Sequence, residues 1–189
     1  MIQSKKDLKE YIAADNNWLL PNGFKGKVVG SIAQYPTRAF KKFLKYLRMQ
    51  EYYLNTANGN KWKGFMALVY EGKKNKLGLK LGVEIGPNVF GKGLNMYHAG
   101  NIVINPAVRV GENCSLHGGN CIGNNGLTFD TPVIGDNVDI GFGAVIIGGI
   151  TIASGVKIGA NAVVNKSITE ENCVVAGVPA KVVKHVEKK

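Results

Sequence analysis

From Ile104 onward an aliphatic residue returns at every sixth position. The series is Ile104, Val110, Leu116, Ile122, Ile134, Ile140, Ile146, Ile152, Ile158 and Val164. One interval, Ile122 to Ile134, is twice as long. Thr128 stands at the missing place, so the register is expected to run through the polar stretch GNNGLTFDTP. The residue after each aliphatic one is often small (Gly111, Gly123, Gly135, Gly141, Ala153, Gly159). A second apolar residue often stands two places before it (Val108, Val138, Ala144, Ile150, Val156, Ala162). Six is not a helical period. It suits short strands with inward alternation, parted by tight Gly and Asn corners. Repeats this short bury their apolar residues only by stacking on one another, which makes a β-solenoid.

Residues 1–80 follow a different pattern, of helices and loops. Ser4 is placed to cap a short helix through Asp7, Leu8, Tyr11 and Ile12. Residues 17–36 hold Pro21, Gly23, Gly26, Gly30 and Pro36 and read as loop. Thr37 can cap a longer helix, in which Phe40, Phe43, Leu44, Leu47 and Leu54 recur at helical spacing. Its other face carries Lys41, Lys42, Lys45 and Arg48. The stretch NTANGN ends it. Trp62, Phe65, Met66, Leu68 and Val69 suggest a third apolar segment packed on the second half of the chain. The fold class expected is mainly β: a parallel β-helix with a small helical N-terminal segment. The expected divisions are a basic helical and loop segment at 1–80, the β-helix at 81–180 and a basic C-terminal tail at 181–189.

Composition adds a charge asymmetry. Residues 1–80 hold 16 Lys and Arg against 5 Asp and Glu, and residues 81–189 hold 8 of each sign. The whole net charge of +11 therefore sits in the N-terminal part. That favours anionic partners, and peripheral contact with an anionic membrane surface is one of them. No nucleic-acid motif accompanies the charge, so no nucleic-acid partner is expected. No stretch reaches the roughly 18 apolar residues of a membrane span. The N-terminus (MIQSKKDLKEYIAAD) lacks the apolar run of a signal peptide, so a cytoplasmic location is expected. Cys114, Cys121 and Cys173 show no metal-type spacing, and an odd number suits a reducing compartment.

The segments IGDNVDIGFGAVIIGGITIASGVKIGANAVVNKS (134–167), VVAGVPAKVV (174–183), MYHAGNIVI (96–104) and CSLHGGNCIG (114–123) resemble the hexapeptide-repeat acyltransferases. Within that family they resemble the serine acetyltransferase-like branch. The resemblance covers roughly residues 81–184. It implies a triangular left-handed coil with three hexads per turn, a homotrimer, and acetyl-CoA in a groove between neighbouring subunits. A histidine then acts as base on the acceptor. The N-terminal segment is much shorter than the helical domain of true serine acetyltransferases.

Acetyl transfer from a thioester needs a base for the acceptor and a donor for the developing oxyanion. A histidine titrates near the working pH. The chain has His98, His117 and His185. His98 stands six before Ile104, where the repeat asks for a hydrophobe, and it matches the family's catalytic histidine in H-x-x-x-I/V-V. His117 takes a place that elsewhere holds Gly. It follows His98 by one residue more than the three hexads of a coil, which sets the two on adjacent coils about 5 Å apart. His185 falls in the basic tail. The resemblance matches Glu84 to the acidic residue that orients the base, with Asp130 and Asp139 as further candidates. It also sets Ala144 and Ala160 at the small positions facing the pantetheine arm. Asn165 and Lys166 match a pair near the adenosine end. Lys181 and Lys184 match basic residues facing the CoA phosphates, a contact suited to an ammonium. No metal is expected to take part, and a γ-type carbonic anhydrase would need three zinc-binding histidines.

The chain departs from true serine acetyltransferases at the acceptor. Tyr97 stands where they have Asp, and Asp130-Thr131 stand before Pro132 where they have Arg-His. Those residues hold the charged groups of serine. The expected activity is therefore an acetyl-CoA-dependent O-acetyltransferase acting on a sugar hydroxyl of a surface-polysaccharide precursor, with Tyr97 and Asp130 at the acceptor. The alternatives are a serine O-acetyltransferase of cysteine biosynthesis and a nucleotide-sugar N-acetyltransferase.

Overall fold

The computed structural model describes residues 1–15 and 36–186. The loop expected at 17–36 lies almost wholly outside them. Helix α1 runs Lys5–Ala14. Ser4 caps it: its hydroxyl accepts from the Asp7 N–H at 3.1 Å, and the Asp7 carboxylate accepts from the Ser4 N–H at 2.9 Å. This reciprocal pair satisfies donors that the first turn leaves open. Helix α2 runs Pro36–Asn55 and helix α3 runs Lys61–Leu81. Thr37 lies inside the first turn of α2 rather than before it, and its hydroxyl is buried without a partner among the described residues. Pro36 suits that first turn, where its missing N–H costs nothing. Asn60 caps α3, accepting from the Lys63 N–H at 3.1 Å. Gly82, at φ 66°, ends it in the left-handed conformation.

Helix α2 buries Phe40, Phe43, Leu44 and Leu47 as its spacing predicts, while Leu54 is exposed. Helix α3 departs from the expectation. Trp62, Phe65 and Leu68 are exposed, because α3 meets the rest of the protein through Ala67, Lys74 and Gly78. A side chain at Gly78 would strike the Val83 carbonyl and come within 3.2 Å of the Phe43 ring. Arg48, which the sequence places with Lys41, Lys42 and Lys45 on the face opposite the apolar one, is buried completely. Among the described residues no helix is long and apolar enough to cross a membrane.

From Val83 the chain winds as a three-sided parallel β-helix. The first sheet stacks β1 (Val83–Glu84), β3 (Ile102–Ile104), β6 (Cys121–Gly123), β9 (Val145–Ile147) and β12 (Val163–Val164). The second stacks β4 (Arg109–Val110), β7 (Val133–Ile134) and β10 (Thr151–Ile152). The third stacks β2 (Asn95–Met96), β5 (Ser115–Leu116), β8 (Asp139–Ile140), β11 (Lys157–Ile158) and β13 (Cys173–Gly177), with β14 (Ala180–His185) at its end. All pairings are parallel except β13 with β14. Residues 181–185, expected in a tail, therefore extend the third sheet. The hexad residues form inward ladders such as Met96–Leu116–Ile140–Ile158–Val175, buried throughout. Burying one such side chain stabilises the fold by about 1.5–3 kcal/mol. Asn101, Asn113, Asn137 and Asn161 turn corners at positive φ, a conformation that Asn tolerates better than most residues.

Two coils are longer than the repeat. Val145 pairs with Val163, three hexads further on, but Cys121 pairs with Val145, a full hexad further still. One hexad's worth of chain leaves the coil between β6 and β7. Leu127 and Phe129 in it are 89% and 95% exposed, and Thr128 is exposed too. Thr128 thus fills no core position, since a hydroxyl there would have to be buried without a partner. Removing residues 125–130 is expected to change stability by no more than about 0.5–1 kcal/mol. Thermal melting checks this, and a loss as large as a core truncation would put the hexad back in the coil. The second long coil matters for the site. Ile104 pairs with Ile122 after three hexads, whereas the step from Met96 to its partner Leu116 is longer by two positions. That surplus swells the corner at 98–101.

Candidate active site

That corner corrects the sequence reading of His98. Met96, not His98, fills the inward place and is fully buried. His98 is exposed, on the edge where the third sheet turns into the first. Backbone bonds run down this edge from coil to coil. The Gly119 N–H donates to Gly100 O at 2.9 Å, Gly143 to Gly118 O at 2.9 Å and Asn161 to Phe142 O at 2.8 Å. His98, Gly118, Phe142 and Ala160 therefore follow one another along it. A side chain at Gly118 would come within 3.3 Å of the His98 Cβ and 3.2 Å of the Phe142 ring. Its absence, at φ 102°, leaves only a shallow hollow, too tight for a methyl group, with His98 on one side and the half-exposed Phe142 ring on the other.

Asn120 supports this hollow from inside. It is buried completely in an inward position that elsewhere holds an apolar residue. Its side-chain oxygen accepts from the Gly118 N–H at 3.0 Å, and its amide donates to Gly141 O at 2.8 Å. Both polar ends are satisfied, so burial carries little penalty and the corner is held in shape.

His117 precedes Gly118 and points outward from the third sheet. Because of the longer coil it stacks on Tyr97, not on His98, with ring centroids 4.4 Å apart and planes 2° from parallel. Its Nε2 lies 2.7 Å from Asp139 Oδ1 on the next coil. Its Nδ1 makes no hydrogen bond to any described residue, and neither does either ring nitrogen of His98. Tyr97 is half-buried between these groups.

The remaining sequence candidates are spread over the prism. Glu84 is exposed on the first sheet and forms no hydrogen bond to His98. It lines a cavity of about 470 Å³ with Lys74, Asn75, Asn101 and Val103. Burial lowers the pKa of Lys74 there, and its ammonium donates to Ile85 O at 2.7 Å. Ala144 is buried completely, with its N–H given to Gly141 O and its C=O accepting from Cys121 N–H, so it is not placed to face a ligand. Ala160 is exposed on the His98 edge. Asn165 and Lys166 are exposed on another edge, between the first and second sheets, where Asp130 also packs over Gly149. Lys181 and Lys184 are exposed on β14. His185 is exposed, with its Nε2 3.4 Å from Glu170. The single chain thus joins Tyr97, His98, His117 and Asp139 around one hollow. It leaves Asp130, Asn165 and Lys166 on a different edge. Sequence reading missed Phe142 and Asn120. A polar residue in the inward place two before Ile122 was the available signal for Asn120.

No family model matches the chain. It is 40% identical over 106 residues to a serine acetyltransferase of Staphylococcus xylosus, covering 54% of this chain and 49% of that protein. The chain spans about half the length of the curated relatives it matches. A Neisseria gonorrhoeae serine acetyltransferase solved in complex with serine superposes with a TM-score of 0.67 at 27% identity, over 95% of this chain and 70% of that one. A Brucella abortus serine acetyltransferase in complex with coenzyme A superposes at 0.70 with 24% identity, over 97% and 69%. These likenesses make the coil a left-handed β-helix.

Proposed function

We propose that this chain is an acetyl-CoA-dependent O-acetyltransferase of the serine acetyltransferase type. The observation that carries this is the hollow over Gly118, flanked by His98 and His117 on the edge of a left-handed β-helix. The matched proteins support it: all are serine acetyltransferases, one holding coenzyme A and one holding serine. They favour L-serine as acceptor over the surface-polysaccharide sugar expected from sequence.

In the proposed reaction, His98 takes the proton of the acceptor hydroxyl as its oxygen attacks the acetyl carbonyl. The tetrahedral intermediate collapses, the C–S bond breaks, and CoA leaves as the thiolate. Ala160 lies two coils below Gly118, where the pantetheine arm can pass along the same edge. Asn165, Lys166, Lys181 and Lys184 are the candidates for the nucleotide end. Their placement on other edges and faces supports a homotrimer, in which one subunit's edge meets its neighbour's.

A second reading, a sugar hydroxyl as acceptor, rests on Tyr97 and Asp130. Tyr97 is packed on His117 and offers serine's ammonium no carboxylate. Asp130 lies on another edge, so only a neighbouring subunit's Asp130 would meet the acceptor, and it would offer serine's carboxylate no cation. Incubation with labelled acetyl-CoA and either L-serine or a panel of sugars and nucleotide sugars decides this. O-acetylserine as the main product is expected. Acetylated sugar with no acetylated serine would establish the second reading instead.

A further inference from the structure

His117 is the better-held of the two histidines at the hollow. The Asp139 carboxylate can only accept, so at 2.7 Å the Nε2 of His117 carries the proton. In the neutral ring Nδ1 is then a lone pair, without a partner among the described residues. Two contacts hold the ring. Asp139 fixes its tautomer from the next coil, and Tyr97 fixes its plane from the preceding one. All three side chains project from the third sheet, on β8, beside β5 and beside β2. His117 spends one nitrogen on a carboxylate and keeps the other free of described partners, one residue along the chain from Gly118, whose backbone packs against His98 on the adjacent coil.

We propose that His117 Nδ1 is a hydrogen-bond acceptor for a second donor group of the acceptor substrate, and that Asp139 and Tyr97 are its positioning residues. The inference rests on the O-acetyltransferase reading and narrows its substrate. With the reacting hydroxyl at His98, a donor on the adjacent carbon reaches His117. The acceptor class is then a 2-amino alcohol or a vicinal diol, and simple alcohols are excluded. Serine and sugars both belong to this class, so the selection operates whichever of the two is acetylated. A buried or half-buried lone pair left without its donor costs affinity, which is what enforces the choice.

The test uses the intact chain with isotope-labelled histidine. Nitrogen NMR is expected to show His117 protonated at Nε2 and bare at Nδ1. The Nδ1 resonance is expected to move with L-serine but not with 3-hydroxypropanoate, or with galactose but not with 2-deoxygalactose. A proton on Nδ1 in the free protein, or no response to either pair, overturns the proposal. This arm needs no turnover. A chain that shows the tautomer and the shift but releases no CoA contradicts the acetyl-transfer reading and leaves this one standing. In an active chain, Asp139→Asn is expected to raise the acceptor KM about tenfold or more, with kcat changed less than about threefold. Asp139→Glu is expected to recover part of the loss. An unchanged KM, or a fall confined to kcat, also overturns the proposal.

Discussion

Replacing His98 with alanine is expected to slow acetyl transfer by about two to four orders of magnitude, with CoA affinity nearly unchanged. The size follows from the chemistry. A hydroxyl is a poor nucleophile until its proton has somewhere to go, and His98 is the ring on the open side of the hollow. The sparing of CoA follows from the place. His98 sits exposed on a corner swollen beyond the repeat, outside the buried core, so its loss is expected to leave the coil intact. It makes no hydrogen bond to any described residue, so its removal strands no partner. Steady-state rates with saturating acetyl-CoA, alongside CoA titration, separate the two effects. A His98→Ala variant with full activity would move the base elsewhere, with His117, beside Gly118 in the chain, the next candidate among the described residues.

Replacing Arg48 with alanine is expected to destabilise the protein by about 3–5 kcal/mol. All five N–H donors of this buried guanidinium are used. Nε donates to Asp15 Oδ2 at 2.7 Å and Nη2 to Asp15 Oδ1 at 3.2 Å. Nη1 donates to Glu51 at 3.0 Å and to Phe90 O at 3.0 Å, and Nη2 also to Gly91 O at 2.7 Å. The carboxylates are shared in turn. Asp15 accepts from the Gly93 and Leu94 N–H groups, and Glu51 from that of Asn88. One residue therefore ties α1 and α2 to the first coil. Burial alone would lower the Arg48 pKa, but Glu51 and Asp15 outweigh it and hold it above its ordinary value. Alanine would leave two buried carboxylates with no cation. Lysine, with three donors on one atom, cannot replace the fork. Urea unfolding of both variants tests this. A loss under about 1 kcal/mol for Arg48→Ala would reduce the network to a surface ion pair.

The six-residue period was legible because every inward residue repeats it, and periodicity survives without any knowledge of partners. What it could not show is where the period breaks. His98 and Thr128 both stand at six-residue steps, yet Met96 and Ile134 are the residues that pair in the core. The surplus chain is taken up in corners, and only the strand pairing reveals which residues it comprises. The same offsets decide the site. On a coil of three hexads His117 would stack on Ala99; on the longer coil it stacks on Tyr97 and reaches Asp139. Arg48 was misread for a related reason. A basic residue beside three lysines looks solvated until Asp15 and Glu51, the first of them far away in the chain, are brought to it. Residue types marked the candidate chemistry, while coil register determined which of them meet.

The central claim is tested most directly by thiol release from acetyl-CoA in the presence and absence of an acceptor. The account predicts release that depends on a 2-amino alcohol or vicinal diol and falls by at least about a hundredfold in His98→Ala. Release that no such acceptor stimulates, or that His98→Ala leaves unchanged, would contradict it.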